Sequence, residues 1–245
     1  MKPVLALECS SEVCSVALAT ADGVLERTAS RPGEQLRVLF PMVMSLLEEA
    51  RIEASALGRI AVAVGPGSFA GLRLAITTAR TMAQVLDVPV VCVSTLRLVG
   101  LAIEDAARVT RPDWRPRAIC ALTDARKGQI FAACFERSDS GLFVEAACLV
   151  LSPAEAVAWV GERSGPDVAI GGSALVRYGD VLRAAARDCW EAPAQAWCPH
   201  ARYAAHVARG DHGPPEEVGY AEVSALYLRP PDVKKPVLPP LRDLS

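Results

Sequence analysis

Apolar and polar positions along the chain fall into two blocks with the same internal order. Short apolar runs at Val4 to Leu7, Val13 to Ala19 and Val24 to Thr28, the last two parted by Asp22-Gly23, predict three strands. A helix-period segment follows from Glu34 to Ala50, then a strand at Ile60 to Val64, an alanine-rich helix at Leu72 to Leu86 and a strand at Pro89 to Val93. The second block predicts strands at Ala118 to Leu122, Gln129 to Phe135 and Leu142 to Leu151, a helix at Pro153 to Val160, a strand at Val168 to Ile170 and a helix at Ala174 to Arg187. Two β-β-β-α-β-α halves imply an α/β protein of two related lobes, each a mixed sheet flanked by helices. The expected division is an N-terminal lobe over 1–100, a C-terminal lobe over 101–229 and a Pro-rich tail over 230–245.

The first predicted helix carries more apolar surface than one buried face needs. Leu36, Leu39, Phe40, Val43 and Leu47 form one stripe, and Val38, Met42 and Leu46 form a second. The helix from Leu72 adds Arg73, Ala75, Thr78, Ala79 and Met82, mostly small or adaptable residues that let another helix approach closely. Two readings stand: together the helices supply half of a four-helix interface to a partner, or both are sandwiched within the chain's own fold. The candidate interface set is Val38, Leu39, Met42, Leu46, Arg73, Ala75, Thr78, Ala79 and Met82.

Composition narrows the function classes. The 245 residues are 51% hydrophobic, enough for well-filled cores. A net charge of -2 argues against a chain that grips nucleic acid by itself, so any RNA is met indirectly. The apolar N-terminus is broken by Glu8 and Ser10, and no other run approaches membrane-spanning length, so a cytoplasmic protein with no membrane contact is expected. None of the eight cysteines forms a C-x-x-C pair, which fits buried free thiols. His200, His206 and His212 recur at six-residue intervals, which turns successive rings apart on a helix and predicts no metal site.

The candidate chemistry gathers at glycine turns. Gly65-Pro66-Gly67-Ser68-Phe69-Ala70-Gly71-Leu72-Arg73 joins a strand to a helix, and its glycines allow close backbone approach. The spacing G-x-G-x-x-x-G departs from the dinucleotide fingerprint by one residue, and no Gly-Lys-Ser/Thr follows. Phosphate approach and simple turn relief both remain open for Gly67 and Ser68. Ser68 lacks a G-x-S-x-G context and an evident base, so a serine nucleophile is not expected. A second strand-to-helix turn lies at Gly171-Gly172-Ser173.

Several segments together carry a specific resemblance: Leu5-Ala6-Leu7-Glu8-Cys9-Ser10, Cys14-Ser15-Val16-Ala17-Leu18, the glycine loop from Gly65 to Arg73, Val93-Ser94-Thr95-Leu96, Asp124-Ala125-Arg126-Lys127-Gly128 and Tyr227-Leu228-Arg229. From about Val4 to Lys235 the chain resembles the TsaB (YeaZ) family. The resemblance implies two ribonuclease-H-like lobes of the actin-like ATPase superfamily, in which ATP lies between lobes. It points to Ser10, Ser11, Gly67, Ser68, Gly171, Gly172 and Ser173 as candidate nucleotide-binding residues. In the matching second turn, Arg126 and Lys127 stand where small residues would serve an anion. Members of the family are accessory subunits for placing threonylcarbamoyl on N6 of the adenosine beside the anticodon of ANN-decoding tRNA. They associate with the paralogous catalytic subunit TsaD and the ATPase TsaE, or pair with themselves when TsaD is absent. The resemblance thus implies no catalytic residue, no metal and no cofactor required by this chain, with ATP or ADP at a shared interface. Gln35, Ala70 and Glu8 depart from the family's usual His, Thr and Asp. The alternative is an independent enzyme, either an ATP-dependent phosphotransferase using Ser10, Ser11 and Gly171 to Ser173 or a peptidase using Ser68.

Overall fold

The structure is a computed structural model that describes residues 2–30, 33–138 and 143–228. In the first lobe, strands β1 (Val4–Glu8), β2 (Cys14–Thr20) and β3 (Gly23–Ala29) precede helix α1 (Gln35–Ala50), strand β4 (Arg59–Gly65), helix α2 (Phe69–Leu86) and strand β5 (Val90–Ser94). Helix α3 (Thr95–Thr110) leads to the second lobe. There β6 (Ala118–Arg126), β7 (Gln129–Arg137) and β8 (Phe143–Leu151) precede α4 (Pro153–Gly161), β9 (Val168–Gly171), α5 (Ala174–Ala185) and β10 (Trp190–Glu191). Helix α6 (Ala201–Arg209) and strand β11 (Glu217–Val218) complete the described elements.

Strand order makes the duplication explicit. The first sheet runs β11-β5-β4-β1-β2-β3 and the second β10-β9-β6-β7-β8. In both, three antiparallel strands lead into parallel neighbours: β1 pairs β2 antiparallel and β4 parallel, as β6 pairs β7 antiparallel and β9 parallel.

Side-chain size sorts the two faces of the first sheet. Leu5, Leu7, Val16, Leu18, Ile60 and Val62 pack under α1 and α2. The alternate positions Ala6, Ala17, Ala61 and Ala63 meet Ala201, Ala204, Ala205 and Ala208 of α6, so small residues on both sides let this helix lie close. Both faces of β1 are therefore covered, which explains its unbroken apolar run. On the second sheet α4 and α5 cover one face and α3 the other. Leu98 and Leu101 of α3 pack toward the first lobe, while Leu96, Val99 and Ile103 pack against the second. This helix is thus the joint between lobes.

The expected division needs correction at two places. The boundary at 100 falls inside α3, and residues after 200 return to the first lobe. There α6 covers the first sheet, β11 pairs antiparallel with β5, and the Leu226 amide donates to the Val64 carbonyl at 2.7 Å. The expected tail, 230–245, and Arg229 lie outside the described residues.

Candidate functional site

The turn after β1 and the glycine loop after β4 are packed against each other. Ser10, 4% exposed, donates both its amide, at 2.6 Å, and its hydroxyl to Glu8 Oε1. Its carbonyl accepts the Ser68 amide at 2.7 Å. Ser11 is engaged locally, its Oγ bonded with the amide and carbonyl of Val13 at 3.1 Å. A Cβ at Gly67 would overlap the Ser10 carbonyl oxygen, and one at Gly71 would overlap that of Cys9. The close approach foreseen for these glycines is therefore to the chain's own first turn. Ser68 caps α2, accepting the Gly71 amide at 3.4 Å.

The second lobe repeats the arrangement. Gly172 has φ +126°, and a Cβ there would meet the Leu122 backbone. The Ser173 hydroxyl accepts the Asp124 amide at 3.0 Å, and Asp124 Oδ1 accepts the Arg126 amide at 2.8 Å. Arg126 reaches across to Glu12 of the first turn, 3.2 Å away, in an exposed pair. The structure thus groups Ser10, Ser11, Gly67 and Ser68 in one lobe, and Gly171, Gly172 and Ser173 with Asp124 in the other.

A phosphate cradle requires free amides, but those of Ser10, Ser68, Gly71, Asp124 and Arg126 all serve internal acceptors. These five amides are therefore not offered to an outside anion. Two bulky residues, Arg126 and Lys127, take the left-handed turn positions at φ 60° and 50°. Among the described residues no group of three or more His, Cys, Asp or Glu could hold a metal ion.

Two carboxylates near these turns behave oppositely. Burial pushes Glu8 up to about 8, although Ser10 hydrogen bonds oppose it, and among the described residues Glu8 Oε2 has no hydrogen-bond partner. Burial also works against the charge of Glu26, but contacts with His200, Ser15 and Arg202 outweigh it and hold the carboxyl down at about 2. Glu26 Oε1 accepts the Ser15 hydroxyl at 2.7 Å and the Arg202 amide at 3.1 Å, and Arg202 pairs with Oε2. A carboxylate is thereby fixed at the N-terminus of α6.

The helix face differs from the expected one by a rotation. Leu39 and Leu46 of the expected interface are core residues, 1% and 0% exposed, because they fall with Val43 and Leu47 on the arc facing the sheet. Ala75 and Ala79 are also buried, in the face of α2 that meets β4. Val38, Met42, Thr78 and Met82 are half-buried, and Arg73 is exposed. The apolar residues that α1 leaves in solvent are Leu36, Phe40 and Met44, at 76%, 54% and 50% exposure and spaced four apart. At the start of α2, the Arg73 guanidinium lies 4.2 Å from the Phe69 ring centroid. Phe69 in turn stacks at 5.5 Å on Tyr227 of the returning C-terminal segment.

Comparison with known proteins gives one family context. The family model described as TsaD, tRNA N6-adenosine threonylcarbamoyltransferase, matches residues 12–161. The Escherichia coli protein named tRNA threonylcarbamoyladenosine biosynthesis protein TsaB is 30% identical over 76% of this chain and 83% of its own length. A Bacillus subtilis protein of the same name is 32% identical over 54% of this chain and 55% of its own length. A Pseudomonas aeruginosa structure described as similar to the peptidase YEAZ superposes with a TM-score of 0.74 at 30% identity, covering 94% of this chain and 100% of that one. A structure called YeaZ from the same organism gives 0.69 at 28% identity, over 93% and 100%.

Proposed function

The chain belongs to the TsaB family of tRNA threonylcarbamoyladenosine biosynthesis proteins, and from that membership we propose that it is the non-catalytic subunit that activates the transferase. The transferase is a TsaD-like paralogue that places threonylcarbamoyl on N6 of the adenosine beside the anticodon in ANN-decoding tRNA. A TsaE-like ATPase completes the complex, and tRNA is met through the partners, in keeping with the chain's net charge of -2.

The observation that carries this reading is the Leu36, Phe40 and Met44 stripe, an apolar ridge left in solvent along the border of the arc of α1 that fills the core. Burying such a ridge against partner helices releases apolar surface from water at about 25 cal/mol per Å². α2 packs beside α1 and at its start exposes Phe69 and Arg73. Alone, two copies of this chain bury the same ridge against each other as a homodimer.

The internal engagement of the turn amides supports a subunit that does no phosphoryl chemistry of its own. ATP or ADP belongs at the interface shared with the catalytic partner, and no step of this chain's action passes through a nucleotide on its own turns. Ser68 serves as a helix cap, and among the described residues its hydroxyl has no histidine or carboxylate partner, which weighs against a peptidase. Isothermal titration of the TsaD-like paralogue with this chain tests the reading: saturable one-to-one binding is expected, and its lack would overturn the assignment.

A further inference from the structure

Between α3, α6 and the loop after α6 lies a cavity of about 330 Å³, at the small end of the range for ligand pockets. Leu101 of α3, Ile119 of β6 and Phe135 of β7 give it an apolar wall. Gly100, Tyr203 and charged or ionisable side chains line the rest, and among the described residues Arg97 is the lining guanidinium that no carboxylate pairs, as Asp105 is the lining carboxylate that no cation pairs. Glu104, 4% exposed, is held by Arg108 at 2.7 Å and Arg137 at 3.5 Å. Asp105 accepts the Tyr203 hydroxyl at 3.2 Å. Asp211 meets His206 Nδ1 at 2.6 Å and Arg209 at 3.7 Å, while Arg202 is taken by Glu26.

Arg97 differs. It is half-buried, and among the described residues its guanidinium has one hydrogen-bond acceptor, the His212 carbonyl at 3.5 Å, and no carboxylate. A guanidinium offers five donors in a planar fork suited to a bidentate anion, so one long contact leaves most of that capacity unused. Next door, burial chiefly, and then the charges of Arg97, His206 and Arg108, lower the pKa of His212 against the opposing charge of Asp211.

We propose that this cavity binds a small organic anion, with one carboxylate or phosphate group on Arg97 and a compact planar body against Leu101, Ile119 and Phe135. The cavity volume excludes a dinucleotide or a peptide as occupant. Because α3 packs on the second sheet and α6 on the first, an occupant touches elements of both lobes and couples them.

Benzoate and phenyl phosphate are the probes, titrated calorimetrically into the full chain, with benzyl alcohol as the neutral control. The expected result is saturable binding of one of the two anions, about tenfold or more weaker to Arg97→Gln and for benzyl alcohol. Which anion binds separates a carboxylate ligand from a phosphate ester. A crystal of the unaltered chain soaked in the same probe places the anion on Arg97 without recourse to a variant. No saturation with either anion by about 10 mM, equal affinity in a folded Arg97→Gln chain, or density away from Arg97 would each overturn the proposal. The readout uses the isolated chain, so failure here leaves the partner reading standing.

Discussion

Glu8 ends β1 with its carboxyl fully enclosed, both Ser10 donors on Oε1 and, among the described residues, none on Oε2. Its carboxyl is raised from 4.5 to about 8, so between those values the folded chain keeps a proton that the unfolded chain has lost. Stability is therefore full below about pH 4.5, falls as pH rises toward 8 and levels off beyond. Glu8→Gln keeps the shape and removes the charge. It is expected to abolish this slope and to raise stability at pH 7.5 by about 1–3 kcal/mol, read from denaturant melts at pH 5 and 7.5. Glu26 runs the other way, its contribution present above about 4.5 and lost as pH falls toward 2. The sequence marked Glu8 as a departure from an aspartate, but nothing local marked Glu26. Its partner Ser15 lies on the neighbouring strand β2, but His200 and Arg202 come from distant positions that only the return of α6 brings in.

At the scale of elements, the glycine loop illustrates how a legible motif can mislead about its contact. Three glycines at a strand-to-helix turn did signal close approach, yet Gly67 and Gly71 approach the Cys9–Ser10 backbone and Gly65 the Leu226 carbonyl. Gly71→Ala places a methyl on the Cys9 carbonyl oxygen and is expected to cost about 2–4 kcal/mol, measured as a lowered denaturation midpoint. An unchanged midpoint would refute that packing role. For α1 the surplus of apolar residues was readable but its phase was not, because apolar side chains cover too much of the circumference for periodicity to fix the buried arc. Leu39→Glu would strike the core, whereas Leu36→Glu with Phe40→Glu alters solvent-facing residues. The double variant is expected to fold normally and to bind the catalytic paralogue at least about 100-fold more weakly by calorimetry. Undiminished binding would move the interface elsewhere. Helix α3 carries a helical apolar period that the strand-by-strand reading passed over, and α6 is a nine-residue, alanine-rich helix with little apolar mass to register.

The whole molecule is a duplication in which each half repeats three antiparallel strands followed by parallel ones. That order was legible because most of the repeated strands are apolar runs bounded by turn residues, and β3, though polar at Glu26 and Arg27, follows the Asp22-Gly23 turn. The C-terminal return was not, since β11 spans two residues and Val223 and Leu226 join the first lobe through tertiary contact alone. The return gives the first lobe cover from both ends of the chain, and Tyr227 joins Phe69 and Arg73 at the edge of the outward helix face. Amides in the turns that the family resemblance offered for nucleotide serve internal acceptors, while α1 keeps an apolar ridge in solvent. Both features suit a subunit that acts through contact. The most direct test is threonylcarbamoyl transfer to tRNA by the TsaD-like paralogue, supplied with its ATPase and threonylcarbamoyl-adenylate, with and without this chain. The account predicts transfer only when the chain is added, and none when the Leu36→Glu, Phe40→Glu variant replaces it. Equal transfer without the chain would contradict it.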